Sequence, residues 1–194
     1  MTELSKPAYV VLGMIATGRR SGYAMSRTAK EATRHFWATS DGQIYPQLKK
    51  LSEDGYITGE RESQGGRERI MYSLTDKGHE ALDEWLNSGA RVHFELRDEG
   101  VLKLFFAEAV SVDQLRAQIA VMRERHRRAL DTLRELQPKA GDQACALLTL
   151  RFGLELQEFA IDWYDRLDEQ LADRPPDERA GDALRALDAV PVPA

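Results

Sequence analysis

The sequence contains little sulfur and no long apolar run. Its 194 residues include one cysteine, Cys145, which excludes an internal disulfide and fits a reducing cytoplasm. No run of about 18 apolar residues occurs, so we expect no membrane span. The opening stretch MTELSKPAYVVLGMIATGRR lacks the small-residue cleavage pattern of a signal peptide and is typical of a first helix. These absences indicate a cytoplasmic protein.

Signatures of metal binding and catalysis are also lacking. The four histidines and the cysteine show neither the i, i+4 spacing nor the finger spacing of a metal site. Asp98 and Glu99 are adjacent, so on a helix their carboxylates would point about 100° apart, which does not suit a paired acid and base. We therefore expect no metal, no cofactor and no enzymatic activity.

Charge is distributed unevenly along the chain. Residues 1–75 carry 11 Lys and Arg against 8 Asp and Glu, whereas the remainder carries 16 against 24. The net charge of −5 therefore combines a mildly basic first part with an acidic second part. This asymmetry favours contact of the first part with a polyanion, although a difference of this size also occurs by ordinary surface variation.

What the sequence does contain is a succession of helical patterns with one extended segment. Apolar spacing and turn signals predict three helices, a β-hairpin and a fourth helix, then a hinge at residues 87–98 and further long helices. We predict a mainly α fold with a small β-hairpin. Residues 1–87 form an N-terminal winged helix-turn-helix, residues 88–172 a C-terminal helical dimerisation domain, and the polar residues 173–194 a mobile tail.

The third predicted helix lies in the stretch SDGQIYPQLKKLSEDGYI, residues 40–57. Ser40 and Gln43 match a capping box at its start, and Gly55 ends it. Helical periodicity places one apolar face on the inside, made of Ile44, Leu48 and Leu51.

The opposite face of this helix is small and cationic. Gly42 and Pro46 are poor helix formers, yet they lie there beside Lys49 and Lys50, with Tyr45 at the flank. Such a face can lie close against a phosphate-lined groove, and the helix N-terminus offers backbone N–H groups to a phosphate. An ordinary solvated face is the alternative interpretation.

The predicted hairpin that follows favours the first interpretation. Its segment QGGRER places Arg67 and Arg69 beside a glycine turn, where they can reach into a narrow, electronegative minor groove. A cationic helix followed by a cationic hairpin predicts a winged helix-turn-helix that binds double-stranded DNA. The predicted contacts are Ser40, Gly42, Gln43, Tyr45, Pro46, Lys49, Lys50, Arg67 and Arg69.

The sequence resembles the PadR family of bacterial transcriptional regulators. The resemblance rests on the stretches SGYAM, WATSDGQIYPQLKKLSEDGYI, GGRERIMYSLTDKG and LDEWL, and the later LRDEGVLKLFFAEAV is similar to the virulence-activator-type C-terminal region of many members. It covers about residues 5–170. In the family pattern the wing arginine and the recognition-helix tyrosine face DNA, which here implies Arg67 and Tyr45. Gly59, Glu60 and Glu62 depart from that pattern in the first wing strand.

The C-terminal region contains a helix with a heptad-like apolar seam. We predict that this seam pairs two chains, because it leaves more apolar surface than one chain readily covers. The predicted interface comprises Leu115, Ile119, Met122, His126 and Leu133. The arginines around His126 are interpreted as a solvated or ion-paired face, and Cys145 as a buried thiol.

The aromatic residues are most simply interpreted as core. Members of the resembled family are often released from DNA by phenolic or lipophilic ligands held between the DNA-binding and helical regions, so the resemblance implies a small aromatic or lipophilic effector. The candidate pocket comprises Trp37, Trp85, Phe106 and Trp163.

These features together predict a ligand-responsive repressor that binds a palindromic operator as a homodimer. Its recognition helices would enter successive major grooves about 34 Å apart. The alternative is a winged-helix module for protein interaction or assembly, without operator specificity. Lys49, Lys50 and Arg67 argue against that alternative, because a protein partner does not require a cationic outer face.

Overall fold

The computed structural model describes residues 4–33, 36–37, 40–64, 67–89, 97–139 and 144–186. The chain divides into two compact units, residues 1–92 and 93–194. Most of the predicted hinge, residues 90–96, lies outside the described part of the chain.

The described part of the N-terminal unit consists of helices and one β-hairpin. Its elements are α1 (Lys6–Ala16), α2 (Gly22–Thr28) with a π-helical extension (Ala29–Thr33), α3 (Asp41–Glu53), β1 (Ile57–Gln64), β2 (Arg67–Leu74) and α4 (Asp76–Asn87).

The ends of these helices follow from local chemistry. Ser21 accepts the Ala24 N–H at the start of α2, and Thr75 accepts the Gly78 N–H at 3.2 Å at the start of α4. The chain leaves α3 through Gly55, whose φ of 73° lies in the left-handed region that favours glycine. The predicted stop at Gly55 is confirmed.

The core of the N-terminal unit lies between α1, α2, α3 and the base of the hairpin. The buried side chains at its centre are fully enclosed: Val11, Leu12, Met25, Ile44 and Leu51. The strands β1 and β2 pair antiparallel from Ile57 opposite Leu74 to Gln64 opposite Arg67. Three helices followed by a two-stranded hairpin form a winged helix-turn-helix, as predicted.

The C-terminal unit is built on two long helices that pack along each other. Its described elements are α5 (Glu99–Phe105), a 3₁₀ turn (Ala107–Ala109), α6 (Val112–Leu136), a second 3₁₀ turn (Gln137–Lys139), α7 (Ala144–Leu171) and α8 (Ala180–Ala186). A capping box begins α6. Ser111 accepts the Gln114 N–H at 3.2 Å, and the Gln114 side chain accepts the Ser111 N–H at 3.0 Å.

The chain after α7 packs back on the C-terminal unit through residues 173–186, which include α8, whereas residues 173–194 were predicted to be a mobile tail. This C-terminal strap crosses the start of α6, where the carbonyls of Glu178 and Pro176 accept the N–H groups of Val112 and Asp113 at 2.8 and 3.0 Å. These N–H groups have no acceptor within the helix itself. Ala183 of α8 is buried against the same core, while residues 187–194 lie outside the described part.

Candidate nucleic-acid interface

The outer face of α3 is open and carries little bulk. Gly42, Pro46 and Lys49 are exposed, whereas the apolar residues of the helix face the core. A Cβ added to Gly42 would have one described neighbour within 4 Å, the Ser40 hydroxyl at 3.7 Å. Pro46 has no N–H, so it cannot donate to the carbonyl of Gly42 one turn earlier. The chain tolerates the loss of this hydrogen bond because the compact proline ring adds little bulk to the outer face of α3.

The N-terminus of α3 is anchored to α2 through its first residue. Asp41 accepts hydrogen bonds from Lys30, at 2.7 Å, and from the Ser26 hydroxyl. The Lys30 ammonium, followed by Ser26, holds the pKa of Asp41 below its ordinary value. The side chain of Gln43 accepts the Ser40 N–H at 3.0 Å. Sequence reasoning identified the cap but missed Lys30 and Ser26, whose i, i+4 spacing on α2 was the available signal.

Both lysines of the outer face extend into solvent. Lys49 lies 3.8 Å from Glu53 one turn later, and such an exposed pair is weak. Lys50 lines a cleft of about 370 Å³ between α1 and α3, together with Gln47 and Lys77. The cationic groups predicted for this face are therefore present at the surface.

Tyr45 lies at the edge of the outer face, half exposed, against α2. Its ring packs on Gly22, because a Cβ there would lie 2.7 Å from the ring atom Cε1. Burial, and secondarily the Tyr45 phenol, raise the pKa of Tyr72 on β2. Tyr45 therefore connects α3 to α2 by a direct contact.

The wing arginines differ in how they are held. Arg69 donates to Glu62, its cross-strand neighbour, at 3.2 Å, and both side chains are about half exposed. Arg67 begins β2 two residues earlier. Its side chain and the turn residues Gly65 and Gly66 lie outside the described part of the structure.

Arg20 fastens the wing to the helices and was missed by sequence reasoning. Its carbonyl accepts the Tyr72 N–H at 2.7 Å. Its guanidinium donates to the Tyr72 carbonyl at 3.1 Å and to the Ser73 hydroxyl at 2.6 Å. This double contact fixes β2 to the α1–α2 link, which no periodicity in the sequence reveals.

The predicted dimer seam is covered within one chain. Leu115, Ile119, Met122 and Leu133 are buried, and His126 Nδ1 lies 2.7 Å from the Gln157 side chain on α7. The prediction that one chain leaves this seam uncovered is wrong, because α7 and the C-terminal strap pack onto it.

The uncovered apolar surface lies instead on the far side of α7. Its residues, which we call the α7 stripe, follow helical spacing and are between 40% and 65% exposed: Leu148, Phe152, Leu156, Phe159 and Trp163. Cys145 continues this side and is exposed, so the prediction of a buried thiol is wrong. The short helix α5 also exposes Leu102 and Phe105.

The arginines around His126 are ion-paired, as interpreted from the sequence. Arg123 contacts Asp165 at 2.7 Å, Arg128 contacts Glu124 at 2.8 Å, and Arg125 contacts Asp98. These pairs leave no reason to assign this region to nucleic acid.

The four aromatic residues of the candidate pocket fall into both units. Trp85 stacks on Tyr9 with centroids 4.9 Å apart, and Trp37 is exposed in the same unit. Phe106 and Trp163 belong to the C-terminal unit and are also exposed. A shared pocket for these residues stays a prediction.

The described residues include neither a membrane-spanning helix nor a cluster of metal ligands. None of the helices in these ranges has the length and apolarity to cross a membrane. Within the same ranges, no cluster of three or more His, Cys, Asp or Glu side chains could hold a metal ion.

The chain is similar to known regulators along most of its length. Residues 11–84 match the transcriptional regulator PadR-like family, and residues 96–172 match the virulence activator alpha C-terminal domain. The negative transcriptional regulator PadR of Bacillus subtilis is 38% identical over 104 residues, which are 53% of this chain and 57% of that protein. The match therefore spans little more than half of that relative.

Solved structures of Bacillus subtilis PadR extend the similarity. The crystal structure in complex with operator DNA has a TM-score of 0.76 at 28% identity, covering 84% of this chain and 98% of that chain. The structure in complex with p-coumaric acid has a TM-score of 0.71 at 26% identity, covering 86% and 98%.

Proposed function

The chain belongs to the PadR-like family of transcriptional regulators, and on this premise we propose that it is a repressor that binds a two-fold-symmetric operator as a homodimer. The observation that carries this proposal is the outer face of α3. A helix that exposes Gly42, Pro46 and two lysines, with Tyr45 at its edge, suits the major groove of double-stranded DNA. We place this activity in the cytoplasm, where the proposed DNA target lies, and it includes no catalytic step.

The second copy is proposed to cover the α7 stripe. An exposed apolar row of this length is unusual on a monomeric protein, and the same row on a second chain is self-complementary about a two-fold axis. The two recognition helices would then meet half-sites about 34 Å apart.

A small aromatic or lipophilic effector is proposed to release the operator. This part rests on the relative solved with p-coumaric acid and on the exposed aromatic residues Trp37, Phe106 and Trp163. A ligand that binds preferentially to a dimer conformation whose recognition helices are not spaced for the operator would lower operator affinity, because it shifts the population of dimers towards that conformation.

The test is footprinting on the DNA upstream of the chain's own gene, followed by titration of the protected duplex at several salt concentrations. We expect a symmetric footprint and an affinity that falls with salt, because lysine and arginine contacts release counterions from DNA. Arg67→Ala should weaken binding by about 1–3 kcal/mol. A salt-independent affinity without a footprint would instead favour a protein-interaction module.

A further inference from the structure

Two glycines of the N-terminal unit stand where the backbone does not require glycine. Among the described residues, the glycines with positive φ are Gly18 and Gly55, and neither Gly22 nor Gly59 is one of them. For these two glycines, the atoms around the missing side chain supply a reason.

Gly22 leaves space for a tyrosine ring, and Gly59 leaves space for an isoleucine and a tyrosine. A Cβ on Gly22 would lie 2.7 Å from Cε1 of Tyr45, and a Cβ on Gly59 would lie 2.9 Å from Cγ2 of Ile70 and 3.2 Å from Cε1 of Tyr72. The first distance is shorter than a van der Waals contact between non-bonded carbon atoms, so Tyr45 would have to move if residue 22 were alanine.

The two rings belong to α3 and to the hairpin that follows it. Burial, and secondarily the Tyr45 phenol, raise the pKa of Tyr72, which is held through its backbone by Arg20. The contact that positions the Tyr45 ring is the one with Gly22 of α2.

We propose that Gly22 is a positioning residue for DNA binding. Because it has no side chain, the Tyr45 ring can pack against α2 and is held there at the edge of the recognition helix. This inference rests on the proposed function for its consequence, but its geometry stands on the contacts alone. Gly22 lies in the first turn of α2 and is itself buried, so it acts through Tyr45 and not by touching DNA.

The test compares Gly22→Ala with Gly13→Ala. Gly13 lies in α1, where an added Cβ would have no described neighbour within 4 Å, so it controls for the general effect of alanine in a helix. The probe is a duplex that the wild type selects from a random-sequence pool. We expect Gly22→Ala to weaken binding about tenfold, within the range of a lost groove contact. Gly13→Ala should bind as the wild type does. Equal affinities of the two variants would overturn the proposal.

A double substitution separates positioning from damage to the fold. In a Tyr45→Ala background there is no ring to displace, so adding Gly22→Ala should cause no further loss of affinity. A loss of the same size in both backgrounds would show that Gly22 acts through the fold, which also overturns the proposal.

A measurement without DNA keeps the inference independent of the proposed function. The aromatic NMR signals of Tyr45, assigned by their absence in Tyr45→Phe, should shift in Gly22→Ala and not in Gly13→Ala. If the wild type selects no duplex, the proposed function fails, whereas these signals still decide whether Gly22 sets the ring. Unchanged Tyr45 signals in Gly22→Ala would refute it.

Discussion

Each unit exposes a helical face, on α3 and on α7, and these two faces are opposite in chemistry. The outer face of α3 carries glycine, proline and lysine, whereas the α7 stripe carries leucine and aromatic side chains. A face without apolar bulk gains little by burial but can approach a charged surface closely. A face rich in exposed apolar area is stabilised when another protein surface covers it.

The charge distribution differs between the part of the chain that ends with the hairpin and the part that follows it. The first 75 residues are net positive and the remainder is net negative. Phosphates would repel the acidic part, so long-range electrostatics would favour approach of a polyanion to the part that carries α3. The comparison teaches that exposure alone does not identify a binding face, because the chemistry of the exposed atoms selects the partner.

The largest expected effect is a loss of folding stability in the N-terminal unit, which holds α3 in place. Gly78→Ala places a Cβ 2.1 Å from the Tyr56 carbonyl oxygen, which also accepts the Thr75 N–H at 3.1 Å. A backbone atom cannot rotate away, so we expect a loss of at least about 3 kcal/mol in the free energy of unfolding. Denaturant unfolding followed by circular dichroism measures it, with Gly13→Ala as control. Unfolding at the wild-type midpoint would mean that this junction can relax.

The next effect tests the apolar side of the comparison. Phe152→Glu places a carboxylate within the α7 stripe. Burying this carboxylate in a dimer would cost at least about 2 kcal/mol for each chain. We expect dissociation to monomers in sedimentation at micromolar concentration. Val121→Glu is the control, since Val121 is an exposed apolar residue on α6 outside the stripe. A Phe152→Glu dimer as stable as the wild type would place the interface elsewhere.

A smaller effect tests the polar side. Gly42→Glu adds bulk and negative charge to the outer face of α3 without a clash in the chain, so its thermal stability should equal or exceed that of the wild type. Operator affinity should fall by more than about 1.4 kcal/mol. Gly42→Gln separates the two causes, because it adds the same bulk without charge. Wild-type affinity in a well-folded Gly42→Glu protein would show that this face does not meet DNA.

The smallest effect concerns the anchor between α2 and α3. Because Lys30 and Ser26 lower the pKa of Asp41 below its ordinary 3.8, folding is stabilised above pH 3.8. This contribution is lost as the pH falls through the lowered pKa. The difference in melting temperature between the wild type and Asp41→Asn should therefore shrink with acidification below pH 3.8. Lys30→Met should reduce this pH dependence, whereas Lys103→Met in the other unit should not. A difference that grows on acidification would contradict the assigned role of Asp41.

The N-terminal unit was largely predictable from its sequence. Caps such as Ser21 and Thr75, the stop at Gly55 and the inward face of α3 are local signals, and short-range chemistry decides them. The contacts of Arg20 with β2 and of Lys30 with Asp41 were not predictable, because they join residues whose proximity only the folded chain creates.

The C-terminal unit was less predictable, for a specific reason. Helical periodicity shows that the α7 stripe is apolar, but it does not show whether α6 or another chain covers it. The face of α7 that does pack on α6 includes Gly153, Gln157 and Tyr164, which carry a weak apolar signal. Gln157 is buried because it is hydrogen-bonded to His126, and such pairing is invisible in a hydrophobic pattern.

The C-terminal strap also has a consequence for the order in which the chain folds during synthesis. The core of the N-terminal unit is complete once its last buried residue, Leu82, has left the ribosome. The core of the C-terminal unit needs Ala183, and the N–H groups at the start of α6 wait for the carbonyls of Pro176 and Glu178. The DNA-binding unit can therefore fold about 100 residues of synthesis earlier, which takes about 5 to 20 seconds at usual elongation rates. Each chain under synthesis can therefore fold α3 before it can complete the unit that carries the α7 stripe.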